Sequence, residues 1–424
     1  MLSFTDARKK VIEVATAHSH SPAREVIDLI SDANSHAGLG YQPPTACGRV
    51  LAEPIAADRD YPPFDRSTRD GFAVRAADAA HAGAVLQCIG EIKAGSGFDK
   101  AVGAGQCVQI MTGAAVPRGA DSVVMIEHVR IAGRSVTFER PADLGKNIVP
   151  TGSEARAGQE LLPAGTRLSY AEMAVAGQVG RHRISVWARP RVAILSTGDE
   201  VVDIDATPGP LQIRNGNGVA LETLVALTGG EPMSLGNAPD ETTELRRRIE
   251  RGLEADVLVL SGGVSMGKYD LVEGVLADLG AKFFFDSVEI RPGRPAVFGE
   301  CRGKLVFGLP GNPVSTMVTF ELFVVPALDI MGGALPRPLP LLGARLAHDV
   351  HERGALTRFI PARVIPAAPG GEPWVSAMDW QGSGDSVAVA RANAFLVVPP
   401  EKLDWVAGEW AMVLPRRGAG GEMV

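Results

Sequence analysis

Residues 256–270 read DVLVLSGGVSMGKYD: an uninterrupted apolar run, a glycine pair, then a polar turn ending in an aspartate. The run 256–260 is too short for a globular helix and has no polar alternation, so it reads as a strand buried on both faces in a parallel sheet. The same device recurs on either side, at RVAILSTGDE (191–200) and LVFGLPGNPVS (305–315). Residues 218–227, 241–253, 271–279 and 313–328 have helical spacing around these runs. The alternation predicts an α/β domain over 186–333.

Outward from this core the character changes. Short apolar runs at 85–89, 107–111 and 122–126 lie between glycine-rich turns, predicting an inserted, mostly β domain over 56–144. Residues 1–55 and 145–185 are assigned to a discontinuous N-terminal linker and helical domain. It opens on the helical pattern ARKKVIEVATAH (7–18), with a second helix predicted over 24–31. A further helix starts at Ser169, where Glu172 three residues on completes a capping signature. ALPRPLP (334–340) carries three prolines and reads as a stiff linker. Alternating segments at 359–365, 394–398 and 410–414 predict a C-terminal all-β, barrel-like domain over 341–424.

Composition narrows the function. Of the 424 residues, 46 % are hydrophobic and 21 % charged, enough to fill sizeable cores, and 42 basic against 49 acidic side chains leave a net charge of −7. A nucleic-acid partner is not expected, because phosphate-backbone binding draws on clustered cations. The four cysteines (Cys47, Cys88, Cys107, Cys301) are far apart and read as buried thiols, neither a disulfide framework nor a zinc site. No apolar stretch is read as approaching the roughly 18 residues of a membrane span. MLSFTDARKK has charges where a secretory leader needs an apolar core, so the expected location is cytoplasmic.

The chemistry is expected where the strands end. Thr197-Gly198-Asp199, Ser261-Gly262-Gly263-Val264-Ser265 and Pro310-Gly311-Asn312-Pro313 follow the three apolar runs, with Asn312 placed to cap a helix and Pro313 to open it. Glycines admit a ligand close to the backbone, and helix N-termini offer unpaired N–H groups to anions. Parallel strands bring such turns to one sheet edge, a place for a phosphate or another oxyanion. Asp199, Glu200 and Asp270 could hold Mg²⁺ through oxygen, and Arg291 and Arg294 could clamp anionic groups. G-x-x-x-x-G-K at 262–268 imitates a P-loop, but Tyr269 stands where a Ser or Thr would bind Mg²⁺. In the β region, PPFDRSTRDGFAV (62–74) and IMTGAAVPRGAD (110–121) form two polar clusters, with Asp70 at a strand entry. No G-x-S-x-G elbow and no Ser/His/Asp or Cys/His arrangement is evident.

PPFDRSTRDGFAV, IMTGAAVPRGAD, STGDE, SGGVSMGKYD, IRPGRPAVFG and GLPGNPVS, in that order over 62–315, resemble the molybdopterin molybdenumtransferases, the MoeA and gephyrin E-domain family. The resemblance implies a homodimer of four-domain subunits. It implies insertion of molybdate into adenylylated molybdopterin with release of AMP, dependent on Mg²⁺. The cleft would lie between the α/β domain of one subunit and the β domain of the other. Carried over by motif, Asp70, Thr112, Glu200 and Asp270 are the catalytic residues. Asp70, Glu200, Asp270 and Glu154 are the metal-handling carboxylates. The turns from Thr197 to Asp199, from Ser261 to Ser265 and from Pro310 through Ser315 would hold the pterin, with Arg291, Arg294 and Ser383 beside them. Partners implied are the adenylylating enzyme and apo-molybdoenzymes.

Several positions depart from the family's pattern. Arg291 and Arg294 replace lysines, Gly152-Ser153-Glu154 stands for Gly-Glu-Asp with Glu154 in the place of an aspartate, Asn215 replaces an aspartate, and Arg69 adjoins Asp70. They leave open a tungstate-inserting paralogue or a non-catalytic molybdopterin-binding scaffold. A nucleotidyltransferase that makes the adenylylated pterin is a third reading, which the flanking β domains disfavour.

Overall fold

The computed structural model describes residues 1–18, 23–29, 46–263, 271–367, 370–402 and 404–418. At its centre is a six-stranded sheet. Strand Arg191–Thr197 lies between Glu231–Ala238 and Val257–Ser261, which in turn pairs with Lys304–Leu309, all parallel; Val297–Cys301 and Lys282–Phe285 extend the sheet antiparallel. The three predicted runs are thus adjacent parallel strands, and Val257–Ser261 is buried at every residue. Helices Gly216–Thr228, Thr242–Gly252 and Leu271–Asp278 fall on the predicted segments.

Pro313–Thr319, a π-helical turn Phe320–Val324 and Val325–Met331 run on as one helical stretch. Contrary to the sequence expectation, Pro313–Met331 is long and apolar enough to cross a membrane by length and composition, but it is 89 % buried within the protein. Its apolarity is that of a core helix. Phe320, Leu322, Phe323 and Val324 are at most 1 % exposed, and such side chains stabilise by roughly 1.5–3 kcal/mol each on burial.

Helix Phe4–His18 buries Ala7, Val11, Val14 and Ala15 in this same central core, at the spacing its sequence predicted. The helix expected over 24–31 is not formed. Arg24–Asp28 is instead a strand antiparallel to Arg183–Trp187, with Val26 opposite Ser185; Val26 and Ile27 favour extended backbone, and the pairing overrides weak helical spacing. Residues 30 and 31 of that prediction lie outside the described residues. Ile55–Ala56 pairs with Glu160–Leu162. Helix Tyr170–Gln178 starts as predicted, with the Ser169 N–H donating to Glu172 at 2.8 Å.

Strands between Gly71 and Phe138 form a second six-stranded sheet, in which Gly71–Val74 lies between Gln106–Ile110 and Ser122–Met125. In the C-terminal region, Leu342–Leu346, Thr357–Ile365, Trp374–Ala377, Ala394–Val398 and Trp410–Pro415 close into a barrel through pairing of Thr357–Ile365 with Ala394–Val398. This region is not purely β: it includes helix Ser386–Arg391. Ile290–Arg291, from the central region, pairs parallel with the barrel strand Thr357–Ile365. The cysteines are free, but only Cys107 and Cys301 are buried; Cys88 is half-buried and Cys47 exposed, which corrects the expectation of four buried thiols.

Candidate functional site

The carboxyl edge of the central sheet opens into a cavity of about 720 Å³. Its walls are the three predicted turns plus a fourth, 213–217, which leads into helix Gly216–Thr228. Gly262 and Gly263 have φ of +91° and +62°, in the left-handed region. A Cβ on Gly262 would come within 2.8 Å of the Thr197 carbonyl oxygen, and one on Gly263 within 2.7 Å of Val272. The turn therefore requires glycine on both conformational and steric grounds.

Side chains lock the turns together. The Asn217 amide donates to Ser261 Oγ at 2.9 Å and to the Gly311 carbonyl at 2.7 Å, joining two turns through the start of a helix. Asn215 caps that helix, accepting from the Gly218 N–H and from Ser196 Oγ, both at 2.9 Å. Substituting aspartate here would keep these acceptor bonds and add a charge, so the helix cap itself does not require asparagine. Asn237 donates to the carbonyls of Gly198 and Val201 at 3.0 and 2.9 Å. Thr197, 4 % exposed, lines the cavity with an Oγ1 that has no hydrogen-bond partner among the described residues.

The C-terminal region closes one side. Asn312 occupies the predicted cap position, but its side chain donates to Ser383 Oγ at 2.9 Å, and the Val314 N–H donates to the Ser383 carbonyl at 3.0 Å. Gly384 and Ser386 follow on the cavity wall. Ser315 is buried in the first turn of the helix, beneath the wall and not on it.

Glu200 and Asp240 both line the cavity. Burial pushes the Asp240 carboxyl up, and the neighbouring Asp199 and Glu200 carboxylates push it further. Asp199 is exposed and accepts from the Asp240 N–H at 3.0 Å. Arg214 is also on the wall, its Nε donating to the Ala206 carbonyl at 3.0 Å. Arg291 and Arg294 are exposed and do not line the cavity, although Pro295 does.

Asp70 and Thr112 meet elsewhere, at the rim of the second sheet. Asp70 Oδ1 accepts from the Thr112 N–H at 2.6 Å and from Thr112 Oγ1 at 2.8 Å, which holds its carboxyl below the usual range. Gly71 lets the strand continue, since a Cβ there would lie 2.0 Å from the Val124 carbonyl oxygen. Glu154 pairs with Arg66 at 3.0 Å, on the exposed surface. None of Asp70, Thr112 and Glu154 lines the central cavity in this chain. Asp270, Val264 and Ser265 lie outside the described residues, as do Lys268 and Tyr269 of the P-loop imitation.

Sequence reasoning missed Asn217, Arg214 and Asp240. The repeated Asn-Gly of RNGNG (214–218) was the available signal for the first two. Asp240 follows strand Glu231–Ala238, whose mixed sequence EPMSLGNA hid it.

Comparisons with known proteins agree along the chain. Residues 3–180 match the MoeA N-terminal region (domain I and II), 193–330 a probable molybdopterin binding domain, and 343–415 the MoeA C-terminal region (domain IV). A Nostoc protein named molybdopterin molybdenumtransferase is 36 % identical over 87 % of this chain and 86 % of its own. One of the same name from Bacillus subtilis is 34 % identical, covering 88 % of each. The crystal structure of the molybdopterin biosynthesis MoeA protein from Pyrococcus horikoshii superimposes with a TM-score of 0.77 at 28 % identity, over 97 % of this chain and 99 % of the other. With cavity, turns and all three regions accounted for, this chain belongs to the molybdopterin molybdenumtransferase (MoeA) family.

Proposed function

We propose that this protein inserts molybdenum from molybdate into the dithiolene of adenylylated molybdopterin, releasing AMP, as a cytoplasmic homodimer. The observation that carries the reading is the 720 Å³ cavity ringed by glycine turns at the carboxyl ends of parallel strands, with Glu200 and Asp240 on its wall. Such turns present backbone N–H groups to phosphate, and the cavity has room for a pterin joined to a nucleotide. No protein nucleophile is required, because the bond to be broken already carries a phosphate leaving group.

The donor set suits Mg²⁺. Glu200 and Asp240 are hard oxygen donors; burial and, after it, the Asp199 and Glu200 carboxylates raise Asp240, and a divalent cation would offset that repulsion. Mg²⁺ takes one or two carboxylates and completes its octahedron with water and substrate phosphate, so this pair would hold it, together with Asp270 as the resemblance implies. When bound, it would neutralise charge on the phosphate being released. The chain's own groups do the rest. The Gly262–Gly263 turn and Asn217 seat the substrate, Arg214 adds positive charge, and Ser383 braces the turn at Asn312.

Asp70 is the proposed contribution of the second subunit. Held ionised by Thr112, it is an acceptor at neutral pH, suited to orienting protonated ligand groups at the oxyanion. Arg291 and Arg294, exposed in the single chain, would serve the same cleft once a second copy covers them.

Purified protein given adenylylated molybdopterin, molybdate and Mg²⁺ should release AMP only when molybdate is present. Pterin binding with no AMP under any oxyanion would leave a scaffold, and faster release with tungstate would assign the paralogue reading. Sedimentation equilibrium should give twice the 44.5 kDa chain mass; a monomer with full activity would refute the shared cleft.

A further inference from the structure

A second cavity, of about 230 Å³, lies away from the first, where helix Phe4–His18, the central helical stretch, the proline-rich segment 334–340 and the C-terminal end converge. Arg8, Arg337 and Arg417 line it, with the carboxylates of Glu321 and Asp329. Both carboxylates are 7 % exposed and already engaged. Asp329 accepts from Arg167 at 2.7 Å and from Arg337 at 3.1 Å; Glu321 takes the Arg417 backbone N–H at 3.3 Å and its Nε at 3.4 Å. Arg167 stands behind Asp329, so four guanidinium groups face two carboxylates.

The surplus positive charge is held in place. Arg8 donates to the carbonyls of Leu322, within the π-helical turn, and of Arg337, at 3.1 and 2.8 Å. Burial pushes the Arg167 guanidinium down; Asp329 opposes this, while Arg337 and Arg417 add to it as like charges. Arg337 sits between Pro336 and Pro338, whose rings restrict the backbone and supply no N–H. A guanidinium has five N–H donors, and Arg337 commits one of them to Asp329 while Arg417 commits Nε to Glu321, among the described residues. The remaining forks border a cavity otherwise walled by proline, valine and leucine. At about 30 Å³ per water, its volume holds roughly seven waters, enough for an oxyanion with part of its hydration.

We propose that this junction is a binding site for a doubly charged tetrahedral oxyanion, a sulfate or phosphoryl group taken between Arg337 and Arg417. The ligand would satisfy forked donors that the two buried carboxylates leave over, and would tie together segments distant in sequence. It would add stability by linkage, because an unfolded chain has no such site. The site is independent of the transfer reaction, and its test does not depend on that reaction.

The test is calorimetric titration of the full chain with sulfate, then with inorganic phosphate, against chloride at matched ionic strength. The central cavity is an oxyanion site in its own right, so two variants separate the locations. Arg337→Gln should weaken one equivalent of sulfate about tenfold or more, the effect of losing a charged hydrogen bond, while Asn217→Ala keeps that equivalent. Arg417→Lys, which retains charge but loses the fork, should weaken it less than Arg337→Gln does. The Arg337 side chain is 60 % exposed, so its replacement should leave the circular dichroism spectrum unchanged. Sulfate should raise the melting temperature of the parent more than that of Arg337→Gln. Equal sulfate affinity and stoichiometry in parent and Arg337→Gln, or no preference for either sulfate or phosphate over chloride, would overturn the proposal. Phosphate binding without sulfate would keep the site and assign it to phosphoryl ligands.

Discussion

The central cavity and the Asp70–Thr112 pair are two differently built regions. The cavity is made of backbone. Its turns stand at the ends of strands buried on both faces, and Asn217 and Asn237 fasten them by hydrogen bonds to carbonyls and a hydroxyl. Asp70 is one exposed side chain at a sheet rim, kept ionised by a single threonine. A site built of buried turns resists change in shape, whereas a rim carboxylate contributes charge and little else. Substitutions in the glycine turns and their asparagine ties should therefore act on affinity, and those at the rim on turnover.

The sharpest way to break that contrast is Asp70→Asn, which is nearly isosteric. Turnover should fall by about 10²–10³-fold, as for loss of one preorganised electrostatic partner, while pterin affinity followed by fluorescence titration stays within a factor of about two. Equal losses in both would place Asp70 in binding. Next in size, Gly262→Ala forces a side chain into the left-handed region and against Thr197, costing of order 1–3 kcal/mol. Pterin affinity should drop by about tenfold or more, with a lower melting temperature, and an unchanged dissociation constant would remove this turn from the site. Asn217→Ala deletes two hydrogen bonds of about 0.5–1.5 kcal/mol each. It should weaken pterin binding about tenfold with kcat preserved.

The smallest effect is expected from Thr112→Val, read as a pH profile. Asp70 is depressed in the folded protein, so the stabilisation it gains from Thr112 is complete above the ordinary aspartate value near 3.9 and is lost as pH falls through the lower folded value. Removing the hydroxyl leaves the backbone N–H bond and lets the carboxyl rise towards the ordinary value. The acid limb of kcat/KM should then move to higher pH, with little change at pH 7. An acid limb that stays put would mean another group controls it.

The three parallel strands and their turns were legible because burial on both faces leaves an uninterrupted apolar run, and the glycines that follow have few other uses. Strand Glu231–Ala238 was not, since its edge position tolerates polar residues, and Asp240 was lost with it. Arg24–Asp28 was misread because a short segment takes its conformation from the partner it pairs with, here more than a hundred residues downstream. Asn217 escaped for a related reason. Its role lies in reaching Ser261 and Gly311, contacts that appear only after the chain has folded. Asp70 stood out as a residue, yet its hydrogen bonds to Thr112 depend on two strands brought side by side.

The two-residue strand Ile290–Arg291 belongs by sequence to the middle of the chain and by hydrogen bonding to the C-terminal barrel. The barrel is therefore spliced to the body upstream of the proline-rich segment as well as through it, and Phe4 adds an edge-on contact with Phe359 at 5.7 Å. Cutting the polypeptide after Met331 would not release two self-sufficient modules: it would strip a covering strand from one and bare an aromatic on the other. Evolution by shuffling such a barrel onto new neighbours would have to carry this graft along with it.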